Sequence, residues 1–193
     1  MDYDAVKQII NQHGIIRVPL GSHELINMDQ KGFYTWQFVL HRATLNPKVL
    51  KFIARQFWSQ YQELFATQPF QIGAIANAGI PLASAIILRA EELGLDVNMI
   101  IIKKEPKNYG LRNRIDGIIQ DLPVLLVDDL ASPQHTAFWN AVHALREARL
   151  VLCPTTFVVV LKQNLVKTKQ IQTLLGSTTL EGLFNLDDFA LKL

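Results

Sequence analysis

Two adjacent carboxylates close an apolar run in the second half of the chain. The stretch VLLVDDLASPQHT, residues 124–136, places Asp128 and Asp129 directly after Val124–Val127. A buried strand would carry such a pair to the edge of a sheet, where carboxylates can accept hydrogen bonds from vicinal hydroxyls or help to hold a hydrated Mg²⁺. The pair could equally be a polar strand end that caps the next helix. Composition alone leaves both interpretations open.

A cluster of lysines is the second group that could do chemistry. The stretch KKEPKNYG, residues 103–110, contains Lys103, Lys104 and Lys107 within five positions. Ammonium groups this close together suit a phosphate or a pyrophosphate, and the polar surroundings predict a mobile loop. A solvated loop is the plain alternative, but the position after a central strand candidate favours an anion site.

Small residues form the third candidate, in the stretch ANAGIP at residues 76–81. Asn77, Ala78 and Gly79 would let the backbone approach an anion at the N-terminus of a helix. A simple tight turn explains these residues equally well.

Hydrophobic periodicity predicts the elements that would position these groups. Helices are predicted over residues 4–13 with Gly14 as C-cap, from Pro47 to Phe65, over 80–93 and over 134–148, and strands over 71–76, 97–104, 123–129 and 156–161. This alternation predicts an α/β fold, a mostly parallel twisted sheet with helices on both faces. Because ligands bind beyond the carboxyl ends of such strands, we expect the three groups to meet.

Length and composition limit the possible classes of protein. The 193 residues predict a single domain, with small N-terminal and C-terminal hood elements roughly at 1–45 and 165–193. A net charge of +2 is too small to indicate a nucleic-acid or membrane surface. The chain starts without a signal-peptide pattern and has no apolar run near the ~18 residues of a membrane span. Its single cysteine, Cys153, fits a reducing compartment, so we expect a cytoplasmic protein.

Together these stretches resemble the type I phosphoribosyltransferases, and most closely the orotate phosphoribosyltransferases. VLLVDD matches the first half of their signature for 5-phosphoribosyl-1-pyrophosphate (PRPP): an apolar strand, two acidic residues and a turn close to VITTGGT. IANAGIP resembles the family's pyrophosphate loop. KKEPKNYG, followed by IDG, resembles its catalytic loop, commonly RKExKxHG with a later EG. LNPKVL at 45–50 and LFNLDDF at 183–189 resemble the family's early helix start and its C-terminal end.

The resemblance implies transfer of ribose 5-phosphate from PRPP to a nucleobase, with release of pyrophosphate, in pyrimidine biosynthesis. Asp128 and Asp129 would hold the ribose hydroxyls, and Mg²⁺ would enter with PRPP near Asp128 rather than on protein ligands of its own. The negative charge on the departing pyrophosphate would be stabilised by Lys103, Lys104 and Lys107. These three lysines and Asp129 are the predicted catalytic residues. A homodimer is implied as well, because this loop often works across a dimer interface in orotate enzymes.

The resemblance implies further substrate contacts in three loops. They are Asn77, Ala78, Gly79 and Tyr109 near the pyrophosphate, and Ser132, Gln134, His135 and Thr136 at the 5′-phosphate.

The chain departs from the family pattern most clearly at the phosphate turn. Pro133 has no N–H to donate, and Gln134 and His135 stand where glycines allow close approach. Ser132 followed by Pro133 is also a good ordinary helix start, with a serine N-cap and proline at the first helical position. A helix N-terminus still attracts anions, and His135 could supply charge where amides are lost.

Four departures affect the remaining loops. Tyr109 replaces a loop histidine, and Ala78 stands where orotate enzymes often have a lysine. The stretch LKQN at 161–164 offers no aspartate–arginine pair to bind the orotate carboxylate. The hydroxyl-rich orotate loop expected near 27–36 is not recognisable.

Three hypotheses follow from the sequence. The first is an active, orotate-type phosphoribosyltransferase that uses Mg²⁺ and PRPP. The second is an inactive protein of the same fold that binds PRPP or a nucleotide in a regulatory role, and the third is a structural or partner-binding protein without a nucleotide site.

Overall fold

The computed structural model describes residues 1–18, 26–27, 33–104, 113–131 and 136–192. The helices within these residues are α1 Tyr3–His13, α2 His41–Thr44, α3 Pro47–Thr67, α4 Gly79–Glu92 and α5 Thr136–Glu147, with a 3₁₀ turn at Asp187–Phe189. The strands are β1 Ile15–Arg17, β2 Ile26–Asn27, β3 Phe33–Tyr34, β4 Trp36–Phe38, β5 Gln71–Ile75, β6 Met99–Ile102, β7 Ile115–Asp116, β8 Val124–Ala131, β9 Thr155–Leu161, β10 Thr168–Thr173 and β11 Gly176–Phe184.

Seven of the described strands form one central sheet in the order β10-β11-β9-β8-β5-β6-β7. The five strands from β11 to β6 run parallel to one another, and the edge strands β10 and β7 are antiparallel to their neighbours. The predicted mostly parallel sheet is therefore confirmed.

Helices cover both faces of the sheet, as predicted. The strand β8 shows why: Leu125 and Val127 are buried among residues of α1, α3 and α4, whereas Val124 and Leu126 are buried among residues of α5. Successive strand residues point to opposite faces, so a strand that is apolar at every position must be covered on both.

Local chemistry fixes the helix starts and ends that matter for the site. Pro47 occupies the first turn of α3, and the Asn46 side chain accepts a hydrogen bond from the Lys48 N–H at 2.9 Å. Gly14 closes α1 by donating its N–H to the Ile10 carbonyl at 2.8 Å. Among the residues that the structure describes, no helix is both long and apolar enough to cross a membrane.

The N-terminal and C-terminal segments are fastened to each other. Two short antiparallel pairs, β1–β4 and β2–β3, follow α1. The Tyr3 hydroxyl donates to the Leu183 carbonyl at 2.6 Å, Arg17 to the Phe189 carbonyl at 3.1 Å, and the Trp36 indole N–H to the Lys192 carbonyl at 3.2 Å. The sequence assigned roughly 165–193 to the hood. Within that range the structure places β10 and β11 at the edge of the central sheet, and the residues after them lie against the N-terminal segment.

Candidate active site

The order of the parallel strands creates a crevice between β5 and β8. The chain runs from β5 through α4 to β6 on one side, then crosses to β8, β9 and β11 on the other. Such a reversal is where open α/β sheets bind ligands, beyond the carboxyl ends of the two strands. The loop Asn77–Gly79 follows β5, and Asp128 and Asp129 lie near the end of β8. The structure thus brings together the first and third groups that the sequence singled out.

The acidic pair lies within β8, which continues to Ala131 and is longer than predicted. Asp128 is 4% exposed, and its carboxylate accepts a hydrogen bond from the Asp129 N–H at 2.8 Å. Burial, and next the charge of Asp129, raise the pKa of Asp128 well above its usual range. Burial also raises the pKa of Asp129, and the charge of His41 in α2 opposes that shift. Burial thus opposes a full negative charge on both carboxyl groups, and ligand hydroxyls or a cation would stabilise that charge.

The loop after β5 is packed directly against the acidic strand. A Cβ atom on Gly79 would lie 2.4 Å from the carbonyl oxygen of Val127, the residue just before Asp128. Only glycine permits this approach of two backbones. The Ala76 N–H donates to the Ile102 carbonyl at 2.9 Å, and the Ala76–Asn77 peptide bond is cis. Ala78, the N-cap of α4, provides no side-chain acceptor for the first turn. The Ile80 N–H donates to the Asn77 carbonyl at 3.3 Å and Pro81 has no N–H, so the Gly79 N–H is the first-turn donor that can face an anion.

Lys103 and Lys104 follow β6, the neighbour of β5 on the other side. The Lys103 ammonium lies 2.8 Å from an Asp116 carboxylate oxygen, and Lys104 has an exposed side chain. Both lysines therefore lie at the same edge of the sheet as the acidic pair. Lys107 and Tyr109, which the sequence adds to this group, lie outside the described residues.

The phosphate turn is described only at its end. Thr136 is the first residue of α5 and is exposed. Ser132, Pro133, Gln134 and His135 lie outside the described residues, so both interpretations of this turn, as an altered phosphate site and as a helix cap, stay predictions.

Lys162 is a cation at this edge of the sheet that was not predicted from the sequence, where LKQN was noted only for its lack of an arginine. Lys162 directly follows β9, and its N–H donates to the Ala131 carbonyl at the end of β8, at 2.7 Å. Its ammonium lies 5.2 Å from the centroid of the Trp36 ring, and burial lowers the pKa of Lys162. The rule that strand ends gather at one edge would have found it, since Lys162 follows the apolar run VVVL.

The donor set allows a metal only together with a ligand. Within the described part of the chain, no three His, Cys, Asp or Glu side chains are grouped as metal ligands. Asp128 and Asp129 are hard oxygen donors of the kind that suits a hydrated Mg²⁺, and a ligand phosphate would have to supply the remaining oxygens.

Comparison with known proteins points to one class of enzyme. No protein-family model matches the chain. It is 32% identical over 132 residues to an orotate phosphoribosyltransferase of Halobacterium salinarum, covering 68% of this chain and 67% of that relative. It is 31% identical over 150 residues to an orotate phosphoribosyltransferase of Listeria monocytogenes, covering 77% and 67%. The crystal structure of orotate phosphoribosyltransferase from Aeropyrum pernix matches the fold with a TM-score of 0.68 at 17% identity, over 95% of each chain.

Proposed function

The chain belongs to the orotate phosphoribosyltransferase family, and we propose that it transfers ribose 5-phosphate from PRPP to orotate with release of pyrophosphate. One observation supports the proposal: Gly79 lies against the backbone of the acidic strand, so the loop that we assign to pyrophosphate and the carboxylates that we assign to ribose are adjacent. The alternative of an inactive binding protein finds no support in the relatives, which are named as transferases.

The acidic pair would bind the ribose of PRPP. Asp128 and Asp129 accept hydrogen bonds from its two hydroxyls, which stabilise the carboxylate charges that burial makes costly. The ring nitrogen of orotate forms a bond to ribose C1 as the bond from C1 to the pyrophosphate oxygen breaks. Pyrophosphate leaves with the electron pair of that bond, and the proton of the ring nitrogen passes to solvent.

The lysines and the ANAG loop would bind the leaving group. The Gly79 N–H at the start of α4 and the exposed ammonium group of Lys104 would face the oxygens on which negative charge develops, and Lys103, which lies 2.8 Å from an Asp116 carboxylate oxygen, would add positive charge beside them. We propose that Lys107 and Tyr109 join them, and that Ser132, Gln134, His135 and Thr136 bind the 5′-phosphate. Mg²⁺ carried by PRPP near Asp128 would supply further positive charge to the pyrophosphate.

The acceptor would lie between the central sheet and the hood. Orotate is an aromatic carboxylate, and Lys162 is a half-buried cation at the same sheet edge as the acidic pair, close to the face of Trp36. We assign Lys162 to the orotate carboxylate, the role for which the sequence offered no arginine.

The experiment that tests the function is a pyrophosphate-release assay with Mg²⁺·PRPP and a panel of nucleobases, orotate first. Release should depend on orotate and stop when EDTA removes Mg²⁺. A folded protein that releases no pyrophosphate with any base would refute catalysis. Calorimetry with Mg²⁺·PRPP would then separate an inactive binding protein, which gives heat, from a structural protein, which gives none.

The altered phosphate turn has its own test. Changing residues 132–135 to the family pattern, by Ser132→Thr, Pro133→Thr, Gln134→Gly and His135→Gly, should strengthen PRPP binding if the turn holds the 5′-phosphate. Lower stability with unchanged affinity would favour the helix-cap interpretation.

We further propose a cytoplasmic homodimer in pyrimidine biosynthesis, formed by two copies of the single domain 1–193. Light scattering of the purified protein should give twice the mass of 21.8 kDa, and a monomer that is fully active would exclude catalysis across an interface.

A further inference from the structure

Arg114 makes contacts that neither the motifs nor the proposed chemistry use. It directly precedes β7, the short edge strand that pairs with β6. The Arg114 carbonyl accepts a hydrogen bond from the Lys103 N–H at 2.8 Å. Its guanidinium donates to the Lys104 carbonyl at 3.2 Å. Arg114 therefore binds the backbones of both Lys103 and Lys104, the first through its main chain and the second through its side chain.

The same guanidinium is anchored on α5. It donates to the Asn140 carbonyl at 3.0 Å and lies 3.6 Å from a Glu147 carboxylate oxygen. The Arg114 side chain is only 18% exposed, whereas its partner Glu147 is 65% exposed, so the bond to the Asn140 carbonyl is the better shielded of its contacts on α5. A planar guanidinium can bridge three acceptors in fixed directions, whereas a lysine ammonium is a flexible point charge. The helix that it grips begins at Thr136, directly behind the phosphate turn.

We propose that Arg114 is a positioning residue for Lys104, setting the direction from which that lysine reaches the pyrophosphate of PRPP. The proposal rests on the proposed function, because it needs a pyrophosphate at the end of β6. Arg114 does not touch the substrate. It acts by fixing the Lys104 carbonyl to α5.

The test compares four variants with the wild-type chain: Arg114→Gln, Arg114→Lys, Lys104→Met and the double variant Arg114→Gln/Lys104→Met. Arg146→Gln is the matched control for loss of a positive charge, because Arg146 is an exposed residue of α5, the helix that Arg114 contacts. For each protein the melting temperature, kcat, the two KM values and the affinity for inorganic pyrophosphate are measured.

Arg114→Gln should lower kcat and weaken pyrophosphate binding by on the order of 10- to 100-fold, the usual effect of a small misplacement of a catalytic group. KM for orotate should stay unchanged, Arg114→Lys should restore part of the loss, and Arg146→Gln should behave as wild type. If Arg114 acts through Lys104, the double variant should be no worse than Lys104→Met alone.

Two results would overturn the inference. One is wild-type kcat and pyrophosphate affinity in Arg114→Gln. The other is a loss that is additive with Lys104→Met, shared by every parameter and not relieved by Arg114→Lys, which indicates a purely structural role. Failure of the proposed function looks different, because the wild-type chain then releases no pyrophosphate. The pyrophosphate affinities still compare Arg114→Gln with wild type in that case.

Discussion

At the scale of single residues, the acidic pair shows a conflict between stability and ligand binding. Asp128 is buried beside a second carboxylate, and its own carboxylate accepts a hydrogen bond from the Asp129 N–H. Burial of a charge without enough hydrogen bonds costs free energy of folding. A ligand with two hydroxyl groups can donate the hydrogen bonds that the protein does not provide to these carboxylates. A carboxylate in this position increases the affinity for the ligand and lowers the stability of the free protein.

Asp128→Asn should therefore stabilise the chain at neutral pH and weaken PRPP binding. Because the pKa of Asp128 is raised in the folded state, the folded chain binds the extra proton and its stability falls as pH rises from the usual aspartate pKa through the raised one. The amide removes this dependence, so the gain in melting temperature should vanish at acidic pH. The lost charge-assisted bonds should weaken PRPP binding by about 10- to 100-fold.

Melting curves from pH 4 to 8 and calorimetry with Mg²⁺·PRPP check both parts of this prediction. Asp121→Asn, at an exposed position before β8, is the control. A lower melting temperature for Asp128→Asn at pH 7.5 would contradict the argument.

Lys162 leads to a second prediction at the residue scale, on the acceptor side. Burial lowers the pKa of this lysine, so its ammonium is lost at a lower pH than that of an exposed lysine. KM for orotate should rise with pH below the usual lysine range, while KM for PRPP should not follow. Lys162→Arg should remove the pH dependence, because arginine stays charged, and Lys162→Met should raise KM for orotate about tenfold or more at every pH. Initial rates over pH 7–10 decide, and a parallel rise in both KM values would reject the assignment.

At the scale of elements, the contact between α4 and β8 holds the two halves of the PRPP site together. Gly79→Ala would place a Cβ atom 2.4 Å from the Val127 carbonyl oxygen, so one of the two backbones must move. Overpacking of this kind costs about 1–3 kcal/mol, and here it displaces the strand that carries Asp128. We expect a lower melting temperature and weaker PRPP binding.

The matched control for that change is Ser84→Ala, one turn further along α4. It removes only the bond from the Ser84 hydroxyl to the Ile80 carbonyl. Unchanged PRPP affinity in a stably folded Gly79→Ala variant would show that the backbone contact does not set the site.

Hydrophobic periodicity predicted the helices and strands whose buried positions are occupied by apolar residues. The helix α3 and the strands β5, β8 and β9 were each placed within about two residues, because apolar side chains recur at the spacing of the element. The strand β10 was missed because its residues are mostly polar and exposed, with Ile171 as its buried apolar residue. It pairs with β11 across the two-residue turn Leu174–Leu175, whose leucines do not resemble the usual residues of a hairpin turn.

The candidate site was also predictable only in part. Strand ends gather at one edge of a parallel sheet, so the acidic pair, the ANAG loop and the first lysines could be placed together from sequence. Arg114 could not, because it binds the main-chain carbonyls of Lys104 and Asn140, which any residue type would offer. Contacts to main-chain carbonyls leave no signature in the side chains of the partner.

At the scale of the whole molecule, the two halves of the proposed site belong to different parts of the fold. The central sheet carries the groups for PRPP, whereas Trp36 beside Lys162 belongs to the hood. The hood keeps its place through contacts between the two ends of the chain. An Asp188 carboxylate oxygen lies 3.0 Å from the Lys167 ammonium and another lies 3.8 Å from that of Lys7. The Tyr3 and Phe184 rings pack in a tilted arrangement with their centroids 4.5 Å apart.

Loosening these contacts should affect orotate and spare PRPP. Tyr3→Phe keeps the ring contact with Phe184 but removes the hydroxyl that donates to the Leu183 carbonyl at 2.6 Å. It should cost about 1 kcal/mol of stability and raise KM for orotate severalfold, with KM for PRPP unchanged. Lys7→Gln is the control: it removes the 3.8 Å ion pair between Lys7 and Asp188, which should cost about 0–1 kcal/mol of stability. Steady-state kinetics and melting curves of the three proteins decide, and an equal rise of both KM values in Tyr3→Phe would mean that the hood and the sheet act as one unit.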